Sequence, residues 1–216
     1  MNKKKTKLSN IILPSKKINF FVVTTLLFGI ISGSIFLIIL NDADKNNAIL
    51  QIQTFISNVN YNKINNGLAL KNSLIINYIF VLLIWGLGLS IIGVILNIFL
   101  TYIKGFIIGF SVSSIFLTYK YKGILMAILY VFPHQVINII VVSILTIYSI
   151  MFANNLLGII INKKAKKNSM LKKYVIILIF CVIASFVSSI LEVYLFPNIL
   201  KVIISLYTKW SLLFIN

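Results

Sequence analysis

The run GILMAILYVFPHQVINIIVVSILTIYSIMFANNLLGIII, residues 123–161, is 39 residues long and carries no charged side chain. A helix rises about 1.5 Å per residue and the hydrocarbon core of a bilayer is about 30 Å thick, so the run is nearly twice as long as one straight crossing needs. Pro133 interrupts it, and a proline inside a helix removes a hydrogen bond and clashes with the preceding turn. The run is therefore divided into a half-helix, Ile124 to Phe132, and a span from His134 to Leu157. The half-helix is read as re-entrant or interfacial, which requires its free backbone groups to be covered by protein or water.

The rest of the chain has the same character. Of 216 residues, 60% are hydrophobic and 11% charged, and mean hydropathy is +1.03. Soluble domains hold about 25% charged residues, so an ordinary cytoplasmic enzyme is excluded. Twenty lysines and no arginine stand against three acids. Nucleic acid is not an expected partner, because the lysines sit in short clusters between apolar runs rather than on one solvated face interleaved with aromatics. They are read as topology signals and as contacts to anionic membrane lipids. Cys181 lies within an apolar run, so no disulfide framework is expected.

Five spans follow, an all-α polytopic bundle. Residues 1–17 form a basic cytoplasmic N-terminus, and Ile18 to Leu40 is the first span, too long for the core of a cleavable signal peptide. Residues 41–72 are polar and asparagine-rich. Within them Ile49, Ile52, Phe55, Ile56 and Val59 recur at helical spacing, one apolar stripe to lie on the membrane or on neighbouring spans. Residues 73–161 hold spans two to four: Ser73 to Leu100, then a turn marked by Lys104, then the short run Gly105 to Tyr119, then the broken run. Residues 162–173 are a basic cytoplasmic loop with Lys163, Lys164, Lys166, Lys167, Lys172 and Lys173. Tyr174 to Phe196 is the fifth span. After Pro197 the residues Ile199, Val202, Ile203, Leu206, Tyr207 and Trp210 share one face, an interfacial amphipathic helix over 197–216. With the N-terminus inside, thirteen lysines including Lys104 lie inside and seven outside, with Asp42 and Asp44 also outside. The opposite orientation violates the positive-inside rule.

One His, one Cys, one Glu and two loop aspartates cannot assemble a metal set within one chain, and neither a cofactor nor catalysis is expected. A serine–histidine pair, Ser111 and His134, is the sharpest enzymatic reading, but Val112 stands where intramembrane serine proteases carry glycine. Pro133, His134, Gln135 and Asn138 mark a polar seam in the membrane that either binds a ligand or pins helices, and Glu192 is a further internal hydrogen-bonding site. Small residues at close-packing spacing include Gly29 with Gly33, Gly86 with Ser90, Gly105 with Gly109 and Ser185 with Ser189. Gly88 and Gly93 join Gly86, Gly105 and Gly109 as expected points of close helix packing.

Leu83-Ile84-Trp85-Gly86-Leu87-Gly88-Leu89-Ser90-Ile91-Ile92-Gly93, then Lys104-Gly105-Phe106-Ile107-Ile108-Gly109-Phe110, then Tyr121-Lys122-Gly123 and Pro133-His134-Gln135 follow one another in this order. The series resembles the landmarks of the stage II sporulation protein M family, and the basic N-terminus, first span, amphipathic loop and chain length are similar as well. The resemblance implies a scaffold in the mother-cell septal and engulfing membrane, joining a peptidoglycan amidase/endopeptidase and a lytic transglycosylase during engulfment. It implies no catalytic residue. Gln135 follows Pro133-His134 where many members of the broader family have glycine, which places the chain nearer the sporulation branch. The rival is a transport or permease-like subunit with its polar seam at the broken helix.

Overall fold

The computed structural model describes residues 15–162 and 167–213, and no strand occurs among them. Helix α1 (Lys16–Ile39) is followed by α2 (Asp42–Asn60), α3 (Asn66–Leu87) and α4 (Gly93–Tyr119). A short α5 (Tyr121–Met126) passes through a π-turn, Ala127–Val131, into α6 (Phe132–Asn162). Helix α7 (Lys167–Ile190) passes through a second π-turn, Leu191–Leu195, into α8 (Phe196–Leu213). Five stretches are long and apolar enough to cross a membrane: Lys16–Ile39, Asn66–Leu87, Gly93–Tyr119, Gly123–Ile161 and Met170–Ser205.

Helix α1 lies along α4. Its buried positions Val22, Leu26, Gly29, Gly33 and Leu37 form one stripe at steps of three and four. A methyl group on Gly29 or Gly33 would strike the carbonyl oxygens of Tyr102 and Phe106, and one on Gly105 or Gly109 those of Leu26 and Ile30. Ser32 Oγ donates to Tyr102 Oη at 2.8 Å, and Ser34 Oγ to the Gly109 carbonyl at 3.2 Å. In lipid, association rests on such close backbone approach and interhelical hydrogen bonds, because apolar side chains gain little by leaving the tails. Gly88 is hemmed in by Tyr174 and Ser149. Gly86 is a correction: no other atom lies within 4 Å of where its Cβ would sit, so no helix packs closely there.

The second and third spans divide elsewhere than expected. Helix α3 starts at Asn66, capped by Asn65 Oδ1, which accepts from the Leu68 N–H at 3.2 Å. The chain turns at residues 88–92 and not at Lys104, and α4 runs unbroken through Lys104 to Tyr119. The turn is built by Ser90 Oγ, which accepts from the Gly93 N–H at 2.9 Å, and by Gly93, where a Cβ would strike the Leu87 carbonyl. Asn97 Nδ2 closes it from α4 by donating to the Ile84 carbonyl at 2.8 Å. Leu89, Ile91 and Ile92 make this turn apolar, so hydropathy runs straight across it. Lys104 is a buried mid-helix residue, 4% exposed, and cannot serve as a topology signal.

The broken run is also mended. Pro133 sits in the first turn of α6, and the π-turn before it keeps the helix continuous: the Phe132 N–H donates to the Ala127 carbonyl, five residues back. The half-helix Ile124 to Phe132 is therefore the start of one long helix and not a separate re-entrant piece. Pro197 is accommodated the same way, with the Phe196 N–H donating to the Leu191 carbonyl. At this end of the bundle α2 docks on its own protein: Ile56 and Val59 pack with Ile115, Met126, Val131, Leu200 and Ile203. Of the expected C-terminal stripe, the side chains of Leu206, Tyr207 and Trp210 lie outside the described residues, as do Lys163, Lys164 and Lys166.

Candidate functional site

The two π-turns share a sequence, Tyr130-Val131-Phe132-Pro133 and Tyr194-Leu195-Phe196-Pro197. They also share a local bond. A proline N–H is missing, and the residue after each proline turns its side chain back to a carbonyl four residues earlier. His134 Nδ1 lies 2.8 Å from the Tyr130 carbonyl, and Asn198 Nδ2 donates to the Tyr194 carbonyl at 2.9 Å. Because a carbonyl only accepts, His134 carries its proton on Nδ1 in this bond. The turns meet where the His134 ring packs on Phe196, centroids 5.7 Å apart, and on Tyr130 at 5.8 Å. Single π-turns inside helices concentrate at functional sites.

Around this junction the membrane-spanning helices place their polar groups. Ser73 Oγ donates to Glu192 Oε2 at 2.6 Å, and Asn77 Nδ2 donates to Ser189 Oγ at 2.9 Å. Ser188 Oγ donates to the His134 carbonyl at 3.1 Å. Lys104, on α4, holds its Nζ 5.2 Å from the centre of the Phe80 ring. An ionisable side chain within a membrane costs roughly 2.5–3.5 kcal/mol on insertion scales, so Glu192 gains from the Ser73 hydroxyl and Lys104 from the Phe80 ring face. Beside the cluster is a cavity of ≈ 180 Å³, walled by Tyr130, His134, Gln135 and Glu192 and roofed by Phe55 and Ile56 of α2. Gln135 Oε1 is buried there without a hydrogen-bond partner.

Of the residues expected to form a seam, His134 and Asn138 are buried, at 3% and 4% exposed, and Gln135 and Glu192 wall the same cavity. Ser111 reaches that cavity too, but its hydroxyl donates to the Ile107 carbonyl of its own helix at 2.8 Å, and no hydrogen bond joins it to His134. The sequence reading missed Lys104, Ser73, Asn77 and Ser189. The available signal for Lys104 was the lack of turn chemistry in Thr101-Tyr102-Ile103, set against two glycines and a serine at 86–90. No group of three metal-ligating side chains occurs among the described residues.

Toward the opposite end a second set of polar groups pins helices. Asn97 Nδ2 donates to Ser149 Oγ at 2.6 Å, Thr101 and Thr146 share a hydrogen bond of 2.8 Å, and Tyr174 Oη donates to the Trp85 carbonyl at 2.9 Å.

Five membrane-length helices enclosing buried polar groups define a polytopic integral membrane protein. Residues 21–197 match the family model described as Stage II sporulation protein M, and the chain belongs to that family. No curated protein and no solved structure matches it.

Proposed function

We propose that this membrane protein is a non-enzymatic scaffold of endospore formation. It recruits and anchors peptidoglycan hydrolases, a lytic transglycosylase and an amidase/endopeptidase, at the septal and engulfing membrane of the mother cell. The observation that carries the reading is the family match, which runs from the first span to Pro197. Helix α2, which is not one of the five candidate spans and docks on α4, the first π-turn and α8 at one end of the bundle, supports it by supplying a surface besides the spans. In the positive-inside orientation that surface faces the wall. Deletion of the gene is expected to stop engulfment after septation and to scatter the hydrolases from the septum; normal engulfment in the deletion strain overturns the scaffold.

One observation favours a second reading, a transport or permease-like subunit: a cavity walled by Glu192, His134 and Gln135 among the spanning helices. Separate substitution of His134, Gln135 and Asn138 distinguishes the two. A scaffold loses partner recovery or abundance, whereas a transporter keeps its assembly and loses flux.

A further inference from the structure

Between α6 and α7, at the end of the bundle away from α2, lies a groove of ≈ 250 Å³. Its walls are apolar: Met151 and Phe152 of α6 face Met170, Ile176 and Ile177 of α7, and Lys173 stands among them. The floor is rigid. Tyr174 is 2% exposed and stacks between Phe152, at 5.1 Å, and Trp85, at 5.8 Å, and its hydroxyl is held by the Trp85 carbonyl. Lys172 and Lys173 stand immediately before the apolar stretch that begins at Tyr174, where a spanning helix meets the headgroup layer. In sequence they close a segment, 162–173, that contains six lysines and no acid.

We propose that this groove is a binding site for an anionic glycerophospholipid, with an acyl chain between α6 and α7 and the headgroup phosphate at Lys173, which lines the groove, with Lys172 next to it in the chain. An apolar slot fits a chain of methylenes, and the lysine that lines it selects the sign of the headgroup. Basic pockets between spanning helices recognise anionic lipids by this division of labour. A zwitterionic lipid fills the same slot without the electrostatic gain. The site is independent of the scaffold reading and is tested without partners.

Trp85, stacked on the groove floor, is the reporter once Trp210→Phe has removed the only other tryptophan. The full chain is reconstituted in phosphatidylcholine vesicles containing a small, equal mole fraction of either phosphatidylglycerol or phosphatidylcholine brominated on the acyl chains. Brominated phosphatidylglycerol is expected to quench Trp85 with an apparent affinity roughly five-fold or more above that of brominated phosphatidylcholine. Lys172→Gln with Lys173→Gln should bring the ratio to about one, while Lys201→Gln, on α8 at the other end, leaves it unchanged. Met170→Phe fills the groove without touching a lysine and should weaken quenching by the anionic lipid even if the lysine variant is poorly folded. Free phosphate carries no bromine, so the signal reports lipid alone. Equal quenching by both headgroups, or a preference that survives the lysine substitutions in protein of unchanged helical content, overturns the proposal.

Discussion

Lys104 is the residue on which sequence and structure differ most. A lysine between apolar runs is ordinarily a boundary, because carrying it into the membrane is costly. Here its side chain is buried and its ammonium approaches the Phe80 ring. Lys104→Glu leaves two carboxylates and no lysine at positions 104 and 192, and Glu192→Lys two lysines and no carboxylate, so each single change is expected to destabilise by roughly 2–4 kcal/mol. The exchange Lys104→Glu with Glu192→Lys restores opposite signs and should recover about 1–2 kcal/mol of the combined loss. Thermal unfolding of detergent-purified protein measures both, and an exchange no better than the sum of the singles shows that the two charges do not support each other. His134, Gln135, Asn138 and Glu192 stand out in the sequence as polar groups inside apolar runs, though their surroundings depend on the fold, and Gln135 Oε1 is buried without a partner. Ser73, Asn77 and Ser189 do not stand out, because a membrane serine is most often a small packing residue, and its role depends on which helices meet.

Among the elements, the spacing of small residues marked faces fit for close packing without saying which helices meet; in the structure two glycines four residues apart in each of α1 and α4 present bare backbone to the facing helix. The same spacing signal misled at Gly86, which faces nothing, because a pair of small residues says that backbones can approach and not that they do. Gly109→Leu is expected to push α1 away from α4, at about 1–3 kcal/mol by analogy with overpacked cores. Gly86→Ala should leave packing intact and gain about 0.5–1 kcal/mol from helix propensity. A cysteine pair at Ser32 and Tyr102, with Cys181 replaced by serine, reads the crossing directly: oxidation links it in the parent and in Gly86→Ala and fails in Gly109→Leu. The proline breaks were read correctly as irregularities and wrongly as ends. A π-turn widens the helix by one residue and lets it pass the missing N–H, and hydrophobic length alone gives no account of that device. The recurrence of Tyr-x-Phe-Pro at 130–133 and 194–197 was its visible trace.

For the whole molecule, the number of crossings survived two errors in their boundaries, because the errors compensate. Moving the second turn from Lys104 to residues 88–92 lengthens the third span to 27 residues, from a run that was too short to cross. In the proposed orientation with the N-terminus inside, it also removes Lys104 from the inner tally, leaving twelve lysines against seven, and the turn between α3 and α4 is free of charge. Orientation then rests on the two ends of the inner set, residues 3–17 and 163–173, and these agree in sign. Reversal would place both clusters outside, and a topology carried by two separate clusters is harder to invert than one carried by a lone lysine. Cysteines introduced one at a time into a Cys181→Ser chain test this. Cys181 is fully buried with its Sγ 4.0 Å from the Val141 carbonyl, an acceptor toward which a serine hydroxyl at this position is expected to turn. Ser90→Cys should be blocked only by reagents that cross the membrane, whereas Asn47→Cys in α2 and Ser211→Cys should be blocked by impermeant ones added to intact cells. Labelling of Ser90→Cys from outside would reverse the molecule and turn the α2 layer to the cytoplasm, away from the wall. Labelling of Ser211→Cys from inside alone would instead mean that the chain reverses near Pro197 to cross a sixth time, against the continuous passage of α7 through the second π-turn into α8.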